Sequence, residues 1–292
     1  MDPNSCFPSN PAPARQLSGD SILALGAGVF DFRRKQVAEP ERLRTPVIYT
    51  MGKTGSTSIA EAIRVASRPV YHIHSLRPDY LVSIARPFLD RGEFPVRWMC
   101  EAMGWRTRLL LLKDQCFYIT LVREPIARRI SGFFQNLRMF AGPDAVSKPV
   151  EELLEIFLAN YSNDYDQRWF EDEFRGQLGI DVYSEPFDRK ARYLQMRKAP
   201  VLILRSDCPT DKMSRVISTA LGFDVRIGRE NDSSMKNYAQ LYAAFKTAAR
   251  FSAAFLDNAY DNAYARHFWS EEEILSFRST WAKAADRSLI PA

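Results

Sequence analysis

The chain has 292 residues, 46% hydrophobic and 26% charged, which excludes a collagen-like, coiled-coil or wholly disordered protein and supplies a sizeable core. Forty Lys and Arg against 35 Asp and Glu leave a net charge of +5, suited to an anionic ligand but far from the charge blocks of nucleic-acid-binding tails, so nucleic acid is not an expected partner. Cys6, Cys100, Cys116 and Cys208 form no CxxC pair and there are only three histidines, so neither a zinc knuckle nor a disulfide framework is signalled.

Residues 1 to about 16 are rich in Pro, Ser and Asn and read as disordered, with a short helix expected within Ser18 to Glu41. Together, residues 1–44 are expected to form a poorly ordered extension, with a single α/β domain over 45–292. The apolar run Ile22 to Phe30 is interrupted by Gly26 and Gly28 and falls short of the ~20 residues of a membrane-spanning helix. Asp2, the early prolines and Asp20 argue against a secretory leader, which makes the cytoplasm the expected location. Pro46 to Met51 is an apolar run of strand length. It ends in Gly52-Lys53-Thr54-Gly55-Ser56-Thr57-Ser58, after which Ile59, Ala60, Ile63 and Val65 mark one side of a helix. Val70 to His74 predicts a second strand, Cys116 to Val122 a third with a helix opened by Pro125, and Val201 to Leu204 a fourth. Such alternation predicts an α/β fold, a P-loop-like central parallel sheet flanked by helices. The C-terminal third is expected to be helical. Met235, Tyr238, Leu241, Tyr242 and Phe245 share one face there, and Ser270 with Glu273 forms a capping box before Ile274.

The loop after the first strand brings backbone N–H groups, hydroxyls, a lysine and the positive end of a helix dipole to one point, which is a phosphate cradle. It is not a Walker A loop: GxxxxGK[ST] would place its first glycine where Val47 stands. A second anion-binding pattern follows the third strand, where Arg123 leaves the strand, Pro125 opens the helix and Ser131 lies near 9 Å along it at ~1.5 Å per residue. Arg123 can fork two N–H donors onto a phosphate, and Ser131 can add one.

At these residues the chain resembles the sulfotransferase superfamily, whose members use 3′-phosphoadenosine 5′-phosphosulfate (PAPS) as co-substrate. The resemblance implies that Lys53 serves the sulfate and bridging oxygen, and that Thr54, Gly55, Ser56, Thr57 and Ser58 line the 5′ phosphate. It also implies that Arg123 and Ser131 hold the 3′ phosphate, with no metal required. Trp169 to Phe174, Gly179 to Val182 and Tyr264 to Phe268 resemble the bacterial capsular polysaccharide synthesis branch, itself sulfotransferase-like. Met235-Lys236-Asn237-Tyr238-Ala239 departs from that branch's more aromatic Lys-Trp-Tyr-Ser signature.

Sulfuryl transfer needs a group to take the acceptor's proton. Tyr71-His72-Ile73-His74 is similar to the Tyr-His-x-His segment of glycosaminoglycan 2-O-sulfotransferases, which implies His74 as the base. His72 and His74 are expected on opposite strand faces, with one of them structural, and Glu101 or Asp114 remain alternative bases. Between the second and third strands, Arg86, Arg91, Arg97, Arg106 and Arg108 are interleaved with Trp98 and Trp105, a pattern suited to sugars or to a solvated helix over buried tryptophans. The expected activity is sulfation of a hydroxyl on a glycan or smaller acceptor. A nucleotide-dependent kinase and a non-catalytic phosphoadenosine-binding protein are the alternatives, and the oligomeric state is left open.

Overall fold

The computed structural model describes residues 17–34, 45–66, 68, 70–112, 115–161, 164–228 and 238–283. Five strands, β1 (Thr45–Tyr49), β2 (Tyr71–Ile73), β3 (Cys116–Val122), β4 (Tyr193–Gln195) and β5 (Val201–Arg205), form one sheet in the order β2-β1-β3-β5-β4. β2, β1, β3 and β5 run parallel, and β4 closes the edge antiparallel to β5. The expected α/β architecture with a helical C-terminal region is present. The sequence expectation omitted β4, a short strand that is incompletely buried and lacks the long apolar run of its neighbours.

Every residue of β3 and β5 is buried, as a parallel strand covered on both faces requires. Alternate residues serve two layers. Val47, Tyr49, Tyr71, Ile73, Tyr118, Val201 and Ile203 face a layer containing α1 (Gly19–Arg34), α3 (Pro78–Asp90) and α4 (Arg97–Leu112). Ile48, Ile119, Leu121, Leu202 and Leu204 face the opposite layer, with Ile59 and Ile63 of α2 (Ser56–Val65) and Ile217 of the helix Thr210–Leu221. Val65, expected on the inner side of α2, is 76% exposed. It is the last residue of that helix and lies two positions beyond Ile63, so it turns away from the sheet.

A third apolar cluster lies along α5 (Pro125–Gln135), where Ile126, Ile130, Phe133 and Phe134 meet Phe157, Phe245, Phe251 and Tyr260. Burial of each such side chain is worth roughly 1.5–3 kcal/mol, so this cluster fixes α5 firmly against the C-terminal helices. Tyr238, Leu241 and Tyr242 pack, partly buried, against the cluster that holds Phe134 and Phe245, and Ser270 with Glu273 closes the expected capping box. Met235, Lys236 and Asn237 lie outside the described residues. The helix Tyr165–Trp169 continues into a π-helical stretch, Phe170–Leu178, which brings Trp169, Phe170 and Phe174 under the sheet.

Because the chain leaves β1 toward β2 on one side and returns to β3 on the other, the carboxyl ends of β1 and β3 flank the sheet's switch point. α/β sheets bind ligands in that crevice. No helix among the described residues is long and apolar enough to cross a membrane.

Candidate functional site

The loop after β1 is tied down from below. Thr50 Oγ1 donates to Leu121 O at 2.9 Å and accepts from Leu121 N at 3.1 Å, which locks the end of β1 to β3. Thr54, buried, donates from Oγ1 to Met51 O at 3.1 Å and closes the loop on itself. Lys53 has φ +74° and Gly55 φ +89°. The left-handed region is ordinary for glycine but costs a lysine of order 1–2 kcal/mol, and such conformations gather at ligand sites. Gly55, the N-cap of α2, supplies no side-chain cap, so the first-turn N–H groups are presented at the loop. Ser58 donates to Gly55 O at 3.0 Å, Thr57 and Gly55 are exposed, and Ser56 is buried.

α5 begins at the same end of the sheet but is already satisfied. Glu124 caps it, accepting from Ile126 N at 2.8 Å, Ala127 N at 2.7 Å and Tyr260 Oη at 2.5 Å. Of the two helix starts beside the switch point, that of α5 therefore holds its own carboxylate, while that of α2 has no side-chain cap. Arg123, one residue before this cap, turns toward the β1 loop and donates from Nη1 to Lys53 O at 2.9 Å. Its backbone is held by Tyr264, whose hydroxyl accepts from Arg123 N at 3.1 Å and donates to Arg123 O at 2.9 Å. Ser131 lies on α5 as expected. Arg123, Ala127 and Ser131 are each half-buried, and Ala127 and Ser131, spaced by four, share one face of α5.

The histidines share a face. Their ring centroids are 4.9 Å apart, because residues two apart on a strand point the same way, which overturns the expectation of opposite faces. His72 Nε2 lies 2.8 Å from Ser56 Oγ. His74 Nδ1 lies 2.8 Å from Thr50 O, and since a carbonyl can only accept, Nδ1 carries the proton and Nε2 keeps its lone pair. Burial lowers the pKa of both rings, that of His72 to about 3, and the charge of Lys53 lowers His74 further. Both are neutral at pH 7. The His74 backbone oxygen accepts from Trp169 Nε1 at 3.1 Å and its ring packs on Trp98 at 5.0 Å. Just beyond, buried Glu173 accepts from Ser75 Oγ at 2.5 Å, from Leu76 N at 2.8 Å and from the Tyr49 hydroxyl.

Glu101 is poorly placed to act as the base: it is buried, it accepts from His72 N at 3.0 Å, and Arg97 Nε donates to it at 2.6 Å. Asp114 lies outside the described residues. Trp105 is core, 2% exposed and stacked on Tyr71, so of the two interleaved tryptophans only Trp98 reaches the histidines. Arg91 pairs with Glu93, and Arg106 donates to Leu76 O at 3.1 Å. His267 packs against Tyr183, Phe187 and Phe268, and burial lowers its pKa to about 4. Sequence reasoning assigned no role to Thr50, Trp169, Glu173 or Tyr264. Each acts through long-range hydrogen bonds that local pattern does not display.

A family model described as "Putative capsular polysaccharide synthesis protein" matches residues 144–270, less than half of the chain. The expected likeness to the capsular branch is borne out over that stretch, which points to a polysaccharide-related protein. It contains Trp169, Glu173 and Tyr264, the residues that grip His74, Ser75 and Arg123, whereas Lys53, both strand histidines and Arg123 precede it. No curated protein and no solved structure matches.

Proposed function

We propose that this chain is a sulfotransferase that moves a sulfuryl group from PAPS to a hydroxyl of a glycan. The observation that carries this reading is the bond from the Arg123 guanidinium to the Lys53 backbone, which joins both expected phosphate-binding segments at the switch point of the sheet. The 5′ phosphate is assigned to the uncapped start of α2, with Gly55, Ser56, Thr57 and Ser58 around it and Thr54 shaping the loop beneath. The 3′ phosphate is assigned to Arg123 and Ser131.

In this reading the acceptor hydroxyl attacks sulfur in line, the bond from sulfur to the bridging oxygen breaks, and adenosine 3′,5′-bisphosphate leaves. His74 Nε2 takes the hydroxyl proton. Lys53 meets the charge that collects on the bridging oxygen, where a fixed cation lowers the barrier most. The likeness to capsular polysaccharide synthesis proteins supports a glycan as acceptor.

The test is consumption of PAPS against a panel of capsular and glycosaminoglycan-like polysaccharides, run beside ATP with Mg²⁺. Glycan-dependent formation of adenosine 3′,5′-bisphosphate supports the reading. ATP-dependent phosphorylation of the same acceptors, with PAPS inert, replaces it with a kinase.

A further inference from the structure

His72 is left without a task by the transfer chemistry, yet it is bonded to the phosphate loop. Ser56 is the first residue of α2, at the positive end of that helix, and its side chain is buried with Oγ 2.8 Å from His72 Nε2. A serine hydroxyl has one proton and two lone pairs, and a phosphate oxygen can only accept. Ser56 therefore helps an anion only if its proton points at the ligand. A partner that drew that proton to itself would instead turn a lone pair toward the phosphate.

A neutral imidazole carries one proton, on either nitrogen, and His72 stays neutral over the working pH range because burial disfavours its cation. With the proton on Nε2, the ring donates to Ser56 Oγ and leaves the serine proton for the ligand. The backbone from which the ring projects is fixed as well. His72 N donates to Glu101 Oε2 at 3.0 Å, and Glu101 Oε1 accepts from Arg97 Nε at 2.6 Å. A continuous path thus runs from α4 through β2 to the first residue of α2.

We propose that His72 is a positioning residue of the phosphate site: its Nε2–H donates to Ser56 Oγ and so directs the Ser56 hydroxyl proton onto a phosphate monoester bound at the start of α2. This rests on the donor assignment made above, with the 5′ phosphate of adenosine 3′,5′-bisphosphate as that monoester. His72 then acts on affinity for that phosphate and His74 on turnover, which separates the two neighbouring rings by role.

The experiment is a double-mutant cycle read by calorimetry with adenosine 3′,5′-bisphosphate, on the full chain and its Ser56→Ala, His72→Phe and doubly substituted forms. His72→Gln, whose amide nitrogen mimics Nε2–H, is the rescue. Each single change is expected to weaken binding about tenfold, as loss of a hydrogen bond to a charged group does. The double change should be no weaker than either single one, since both act through one bond. His72→Gln should stay within about threefold of the unaltered chain. Adenosine 3′-monophosphate, which lacks the 5′ phosphate, should bind all forms alike. Should His72→Phe not fold, His72→Asn, whose shorter amide stops short of Ser56, takes its place in the cycle. Additive losses, failure of the glutamine to rescue, or equal weakening of adenosine 3′-monophosphate each overturn this assignment alone. Failure of the unaltered chain to bind the bisphosphate overturns the donor assignment together with it.

Discussion

Arg123 Nη1 donates to the backbone oxygen of Lys53 at 2.9 Å, across 70 residues of sequence. The guanidinium keeps further N–H groups for a ligand, so one side chain both shapes the loop after β1 and contributes charge beside it. Arg123→Ala is expected to weaken adenosine 3′,5′-bisphosphate binding by about 10- to 100-fold, the scale of one or two charge-assisted hydrogen bonds. Arg123→Lys should recover little of this, because an ammonium lacks the planar fork that spans the Lys53 carbonyl and a phosphate oxygen at fixed geometry. Calorimetric titration of both variants decides it, and wild-type affinity in Arg123→Lys would show that charge alone suffices.

Lys53 adopts φ +74°, where glycine is at ease and lysine is not. Lys53→Gly should therefore leave the melting temperature unchanged or raise stability by up to about 1 kcal/mol, while turnover of PAPS collapses. A clear drop in stability would mean that the lysine side chain holds the loop together rather than serving the ligand.

His74 presents an unprotonated Nε2 because its Nδ1–H is committed to Thr50 O at 2.8 Å. His74→Ala is expected to keep bisphosphate affinity and lose turnover by about 10²-fold or more, the usual scale of general-base catalysis. Burial and the Lys53 charge lower its pKa, so the acid limb of kcat/KM should fall below the ordinary histidine value of about 6.5. An acid limb above that value, or near-normal turnover in the alanine variant, would remove His74 from the base role.

The pKa of His72 falls to about 3 in the folded chain, against an ordinary value of 6.5. Between these values the unfolded chain binds a proton that the native one does not. Stability thus rises with pH across that window, and the contribution is fully present only above the unfolded value. One such group contributes a slope of up to about 1.4 kcal/mol per pH unit. Urea denaturation at pH 4 to 6 should show a shallower pH dependence for His72→Gln than for the unaltered chain. An unchanged slope would mean that His72 opens to solvent and titrates normally.

The parts of the fold carried by continuous apolar runs were legible in sequence: β1, β2, β3 and β5 all lie where Val, Ile, Leu and Tyr accumulate, and the capping box of Ser270 and Glu273 is local chemistry. β4 was not, since three partly exposed residues pair with β5 and bear no apolar pattern of their own. At the site, Lys53 and Arg123 were legible because Arg123 directly follows β3 and Lys53 lies in the glycine- and hydroxyl-rich loop that follows β1. Their meeting was expected only through the family resemblance and not from local pattern, because strand order is a property of the whole sheet. Tyr264 and Trp169 look like ordinary core aromatics until a hydroxyl is found on Arg123 and an indole N–H on the His74 oxygen. The placement of both histidines on one face follows from the strand period of two and needed only that rule applied correctly.

The central claim is that the segments after β1 and β3 together hold one nucleotide with phosphates on both sides of its ribose. The most direct measurement is thermal shift of the full chain with adenosine 3′,5′-bisphosphate, adenosine 5′-monophosphate, adenosine 3′-monophosphate and ATP with Mg²⁺. At 100 times its Kd a ligand stabilises by about 2.7 kcal/mol, a readily visible rise in melting temperature. The bisphosphate should give the largest shift and each monophosphate a smaller one. A shift with ATP and Mg²⁺ alone, or with none of the four, would contradict the account.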